Sequence, residues 1–169
     1  MVRAYDAEVN GIYYNLNKEA KTAEVTEGNG YSGSITIPEK VTTIGKNAFG
    51  CTYLTSVTFV APNKVTSIGE GAFHYCHFTS FSIPSGITVI EKSTFANCSH
   101  LTSITIPSNI TKIYASAFHY SSIGSTNLTA ITISTTGWKL NGTTATDMSS
   151  ASANVAKFTV YNSSDYYSR

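Results

Sequence analysis

The sequence predicts a right-handed repeat solenoid with one parallel β-sheet face, and two recurring markers carry that reading. The first is a row: Leu54-Thr55-Ser56-Val57-Thr58-Phe59, then Phe78-Thr79-Ser80-Phe81-Ser82-Ile83-Pro84, Leu101-Thr102-Ser103-Ile104-Thr105-Ile106-Pro107 and Leu128-Thr129-Ala130-Ile131-Thr132-Ile133. The rows begin 24, 23 and 27 residues apart, and Ser34-Ile35-Thr36-Ile37-Pro38 forms a partial row before them. The second marker is a phenylalanine after each row, in Ala48-Phe49, Ala72-Phe73, Thr94-Phe95 and Ala117-Phe118, at intervals of 24, 22 and 23. Two markers holding one register over four coils point to stacked units, because a single coil cannot bury its apolar face alone.

Each element follows from its residues. In Ile104-Thr105-Ile106 apolar and polar side chains alternate, the period of a half-buried strand, with Ile104 and Ile106 inward and Ser103 and Thr105 outward. Pro107 has no N–H to give and turns the corner. Ile110 and Ile113 then face inward along an extended segment, and Ala117-Phe118 fills the interior from a turn or short helical piece; Val65, Ile68, Ala72 and Phe73 repeat these roles. Open solenoid ends need caps. At the N-terminus Asn10-Gly11 lies between two strand-like runs as a hairpin signal, with Ala23-Glu24-Val25-Thr26 as a third strand. At the C-terminus the register fails after Ile133. Gly137-Trp138-Lys139-Leu140 reads as a last irregular strand whose Trp closes the core, and Asp147 as the cap of a helix to about Lys157. The expected organisation is one structural domain: an N-terminal β cap over 1–33, about four to five coils over 34–133 and an irregular cap over 134–169.

Composition narrows the function. Charged residues make up 12% of the chain, about half the usual share, and the net charge is +1. Without a Lys/Arg run there is no footprint for nucleic acid or an anionic membrane. No stretch approaches the roughly 18 apolar residues of a membrane span, and Met1 to Asp6 carries no apolar signal-peptide core.

The row Leu-Thr-Ser-Ile-Thr-Ile-Pro-Ser-x-Ile-Thr-x-Ile-x-x-x-Ala-Phe, as it stands from Leu101 to Phe118, resembles the BspA-like leucine-rich repeats, also called the Treponema pallidum type. Gly11-Ile12-Tyr13-Tyr14-Asn15-Leu16 resembles that family's N-terminal hairpin. Gly137-Trp138-Lys139 and Ser164 to Arg169 resemble its closing segment. Departures are Val60-Ala61-Pro62, which lengthens one corner, and Tyr120 to Asn127, which lengthens the fourth coil. The resemblance implies secretion or display on the surface of host-associated bacteria, with adhesion or protein binding as the role. It brings no catalytic residues.

Few residues invite a chemical reading. Cys51, Cys76 and Cys98 follow the repeat phenylalanines and are expected to share one inward position as reduced core residues, weighed against a disulfide or a metal. His74-Tyr75-Cys76-His77 resembles part of a zinc site, but a structural zinc needs four ligands. His77 and His100 fall at equivalent positions with Tyr53 and Asn127. His74 and His119 share another position. The column reads as a solvated ridge, set against a weak metal or ligand contact. No Ser-His-Asp, Cys-His or paired-carboxylate spacing is visible, so neither an enzyme nor a cofactor is expected.

The function expected is a surface-exposed or secreted binding or adhesion module for a protein or glycan, acting as a monomer. The alternative is a spacer presenting another domain of a longer surface protein. Candidate contact residues are the ridge Tyr53, His74, Tyr75, His77, His100, His119 and Tyr120, and the neutral lawn around Ser80, Ser103 and Thr105.

Overall fold

Fourteen short strands form in chain order in a computed structural model that describes residues 5–28, 30–107, 109–110, 112–114, 117–118, 130–133, 139–140 and 143–144. For Thr105, Ile106, Lys112 and the segments from 130 onward, only the backbone is described. The predicted rows become β4 (Ser32–Ile37), β6 (Tyr53–Phe59), β8 (Ser80–Ser82), β10 (Ser103–Ile106) and β12 (Ala130–Ile133). They pair in parallel, β4 with β6, and β10 with β8 on one side and β12 on the other, in the register the rows give: Ser103 opposite Ser80, Ile104 opposite Phe81 and Ile131. Phe81 and Ile104 are buried beneath this face, as the alternation requires; Leu54, out of phase with Val57 and Phe59, is buried where the β4–β6 register shifts between Gly33 and Ser34.

The extended segment after each corner forms a second parallel ladder beside the predicted sheet. β5 (Val41–Ile44) pairs with β7 (Ser67–Ile68), and β11 (Lys112–Ile113) lies between β9 (Val89–Ile90) and β13 (Lys139–Leu140) and pairs with both. The strands are short because each corner allows two to four residues in line. Val41, Val65, Ile87 and Ile110 anchor them from inside.

The third side is a turn, and it too is stitched coil to coil. The N–H groups of Asn47, Phe49 and Cys51 donate to the carbonyls of Glu70, Ala72 and His74; those of Gly71, Phe73 and Tyr75 donate to Lys92, Thr94 and Ala96. In the three coils where the turn is fully described, two positions each take positive φ: Asn47, Gly71 and Ser93 in one column, Cys51, Tyr75 and Asn97 in the other. Left-handed residues at both ends turn the chain sharply around the intervening phenylalanine. The phenylalanines stack into a spine, with Phe49–Phe73, Phe73–Phe95 and Phe95–Phe118 ring centroids 5.5, 5.8 and 5.4 Å apart and planes within 15°.

The N-terminal cap matches its sequence signals. β1 (Ala7–Val9) and β2 (Ile12–Asn17) pair across Asn10-Gly11, whose φ values of 53° and 77° suit a two-residue hairpin turn. β3 (Thr22–Val25) joins β2 antiparallel and β5 parallel, converting a hairpin into the first rung of the second ladder. Tyr31 closes the spine edge-on over Phe49 at 4.9 Å, and its hydroxyl accepts from the Tyr13 N–H and donates to the Thr26 carbonyl. At the C-terminal end β14 (Thr143–Thr144) folds antiparallel onto β13. Trp138 and the expected helix from Asp147 lie outside the described residues.

The cysteine column needs one correction. Counting three residues on from each phenylalanine gives Thr52, Cys76 and Cys98, all buried. Thr52 Oγ1 and Cys76 Sγ both donate to the Phe49 carbonyl (2.7 and 3.3 Å), and Cys98 Sγ donates to the Phe73 carbonyl (3.1 Å). Cys51 stands one residue earlier, in the left-handed column with Tyr75 and Asn97, and is exposed. A one-residue shift around a tight turn reverses the direction of the side chain, which is why Cys51 leaves the column. All three thiols are free.

Candidate functional site

The ridge takes form where the turn meets the start of the first sheet. Tyr53, His77 and His100 open successive rows, so stacking the coils brings them into line. Tyr53 and His77 meet edge-to-face at 5.1 Å, and His77 and His100 stack at 4.8 Å with planes 22° apart. Tyr53 is 70% and Tyr75 52% exposed. His100 is exposed and His77 half-buried. With Cys51 and Thr52, the side chains of Tyr53, Tyr75 and His77 line a shallow concavity of about 230 Å³. That is below the range of enclosed small-molecule pockets and suits one ring or side chain from a larger partner.

The other candidates divide. Ser80 is exposed and Ser103 half-buried on the first sheet, within a neutral surface that also carries Thr55, Thr58, Thr79 and Ser82. Thr105 belongs to β10, opposite Ser82 and Thr132. Its side chain lies outside the described residues, as do His119 and Tyr120. His74 does not join the Tyr53–His77–His100 line. Its ring turns back along the coil axis and contacts the preceding turn.

That contact is one the sequence spacing does not show. His74 Nδ1 lies 2.7 Å from the Gly71 carbonyl oxygen, and Nε2 lies 3.2 Å from Cys51 Sγ. A carbonyl only accepts, so Nδ1 donates to it, and in the neutral ring Nε2 then turns its lone pair to the thiol. The two residues are 23 apart and meet only because adjacent coils stack. The signal available in the sequence was the offset from phenylalanine, two for Cys51 and three for the other cysteines.

Burial sets the remaining thiols apart. Desolvation pushes the Cys76 thiol up to about 12, against a smaller lowering by its hydrogen bond with Thr52 and a further rise from nearby Cys51. Desolvation pushes Cys98 up further still. Among the described residues no three His, Cys, Asp or Glu side chains cluster as a metal site, and no helix is long and apolar enough to cross a membrane.

Comparison with known proteins places this geometry. The model of the BspA type leucine-rich repeat region matches residues 29–139 with six copies. The crystal structure of a leucine-rich cell surface protein from Faecalibacterium prausnitzii A2-165 is 31% identical, with a TM-score of 0.63, covering 73% of this chain and 32% of that one. The T. pallidum leucine-rich repeat protein is 17% identical (TM-score 0.41; 68% of this chain, 66% of that one). A leucine-rich repeat protein from Bacteroides ovatus ATCC 8483 is 23% identical (TM-score 0.37; 68% and 51%). Comparison with curated proteins gave no match. The chain thus spans about a third of the F. prausnitzii protein's length. Strand rows, turn and phenylalanine spine share one register, and the family match covers most of them: the chain belongs to the BspA-type leucine-rich repeat family.

Proposed function

We propose that the chain is a non-enzymatic binding module, displayed outside the bacterial cell, that recognises a protein or glycan through the ridge of Tyr53, Tyr75, His77 and His100. The observation that carries this reading is the run of ring contacts on three successive coils, largely exposed and fixed in place by the stacking beneath it. Aromatic side chains held rigidly at a surface lose little entropy on binding and offer flat apolar faces with polar edges. A sugar ring or an apolar side chain fits the concavity between Tyr53 and Tyr75, while the neighbouring serines and threonines supply neutral hydrogen-bonding groups. Family membership and the cell surface relative support the outward location.

The test is binding of the purified chain to arrays of extracellular-matrix proteins and glycans, repeated with Tyr53→Ala and with the pair His77→Ala and His100→Ala. A ridge that carries recognition loses at least about tenfold in affinity in each variant, the scale of a central aromatic contact, with the circular dichroism spectrum unchanged. Binding indifferent to these changes overturns the assignment. No binding to any array favours a spacer role, for which the 32% coverage of the longer relative is the supporting observation.

A further inference from the structure

We infer that Cys51 and His74 form a thiol–imidazole pair that makes Cys51 a site of covalent modification by disulfides, forming a mixed disulfide with a small or partner-borne disulfide that enters the concavity beside Tyr53 and Tyr75.

Four features of the pair support this. First, the sulfur is accessible: Cys51 is exposed and lines the concavity, whereas the chain's other two cysteines are buried. Second, the imidazole is oriented. The Gly71 carbonyl accepts from Nδ1 at 2.7 Å, which turns Nε2 to the sulfur at 3.2 Å, where the neutral ring offers its lone pair. Third, the approach is backed by the main chain, because the Cys51 N–H donates to the His74 carbonyl at 2.8 Å and ties the two turns together.

Fourth, room for the ring comes from a single missing side chain. Residue 50 is the position after phenylalanine, filled by His74, Ala96 and His119 in the following coils. Here it is glycine, and a Cβ at that point would collide with the His74 ring. Gly50 does not take a positive φ, so its value at this point is space and not backbone freedom. A larger residue would drive the imidazole outward and leave Cys51 without its partner.

The exchange step balances within these groups and the disulfide. Cys51 Sγ attacks one sulfur of R–S–S–R, and the new S–S bond forms as the old one breaks. The departing R–S⁻ takes the electron pair and is reduced to the thiol level, while Cys51 is oxidised to the disulfide level. The thiol proton passes to His74 Nε2 and from there to the departing thiolate or to water. Tyr53, Tyr75 and His77 are the other titratable groups lining the concavity, with no Lys, Arg, Asp or Glu among its lining residues. The base in hydrogen-bond contact with the sulfur is His74 Nε2, at 3.2 Å. Cys76, the neighbouring thiol, is buried and turned inward to the Phe49 carbonyl, so it does not compete.

The probe is 5,5′-dithiobis(2-nitrobenzoic acid), an aromatic disulfide, on the intact chain and on Cys51→Ser, His74→Gln and Gly50→Ala. The native chain is expected to release one equivalent of thionitrobenzoate rapidly, and Cys51→Ser none on that timescale. His74→Gln and Gly50→Ala are expected to react about tenfold slower at pH 7, the low end of what a positioned base contributes being larger still. The gap should close above about pH 9.5, where an ordinary thiol ionises unaided. This convergence separates proton transfer from access, since a blocked path slows reaction equally at every pH. Gly50→Ala keeps both reacting residues and displaces only the ring, and so guards against a folding defect in His74→Gln. An unreactive Cys51, variant rates equal to the native rate, or a ratio independent of pH overturns the inference. The assay needs no ridge ligand, so its failure is distinct from failure of the binding reading.

Discussion

Cys76 and Thr52 occupy the same place in adjacent coils, buried below the turn, with the side-chain donor of each aimed at the Phe49 carbonyl. What this site requires is a small side chain that can satisfy a carbonyl, and a hydroxyl does so as well as a thiol. Cys76→Thr is therefore expected to cost under about 1.5 kcal/mol, as for a volume-conserving core change, whereas Cys76→Leu overpacks the site by about 1–3 kcal/mol. The thiols also give the fold a pH limit. An unfolded Cys ionises near 9, while burial holds Cys76 un-ionised until about 12. A raised folded pKa means stability is complete below the unfolded value and is lost as pH rises towards the folded one, because the unfolded chain releases the proton first. Urea denaturation is expected to give the same stability at pH 7 and 8 and a falling one from pH 9 to 11, with a shallower fall in Cys76→Thr. Identical pH slopes for the two proteins would remove the buried thiol as the cause. Residue identity was legible here only in part. The repeat announced the inward column, but reading it by cysteine placed Cys51 inside; reading it by distance from phenylalanine puts Thr52 there and leaves Cys51 outside.

Elements of this fold are recognisable in sequence to the degree that they alternate or turn on special residues. The rows that become β6, β8 and β10 announce themselves by polar–apolar alternation, and the hairpin of β1 and β2 by Asn10-Gly11. The second ladder was legible as inward residues but not as strands, because two residues such as Val89 and Ile90 are too short to display a period. The turn was legible as a phenylalanine marker. Its left-handed positions are filled by Asn47, Gly71 and Ser93, which share no residue type, so the backbone conformation left no single-letter trace. Packing shows which of these parts bears weight. Phe73 is fully buried, stacked between Phe49 and Phe95 and edged by Phe78 and Phe81 at 6.1 and 4.9 Å. Phe73→Ala opens a cavity in mid-spine that neighbouring coils, held by ladders on every side, cannot collapse into. A loss of about 3–5 kcal/mol is expected, read from chemical denaturation. Tyr75→Ala, two residues away on the surface, should stay within about 0.5 kcal/mol. A small loss in Phe73→Ala would mean that the coils close up freely and that the spine is not rigid.

At the scale of the whole molecule the coils form a line, each touching the ones before and after, so stability is a sum of coil and interface terms and the ends matter as much as the middle. The described charges contribute little to that sum: Lys46–Glu70 and Lys64–Glu39 are exposed pairs at 3.3 and 3.2 Å. The N-terminal end is held by Tyr31, whose ring covers Phe49 and whose hydroxyl bonds to the chain on either side of β3. Tyr31→Phe keeps the ring and strips the half-buried N–H of Tyr13 and the Thr26 carbonyl of a partner, a cost of about 0.5–1.5 kcal/mol. Tyr31→Ala also exposes the end of the spine. In a line of coils this damage is local before it is global. Hydrogen exchange is expected to quicken first at the amides of Gly45 and Thr26, which bond to the Val25 and Tyr13 carbonyls, while those of Phe73 and Phe95, bonded to Thr94 and Ala117, keep their protection. An equal loss at all four amides would instead show that the cap and coils open as one unit. The chain would then behave as a single cooperative body, and the ridge on its middle coils would share its fate with the N-terminal hairpin.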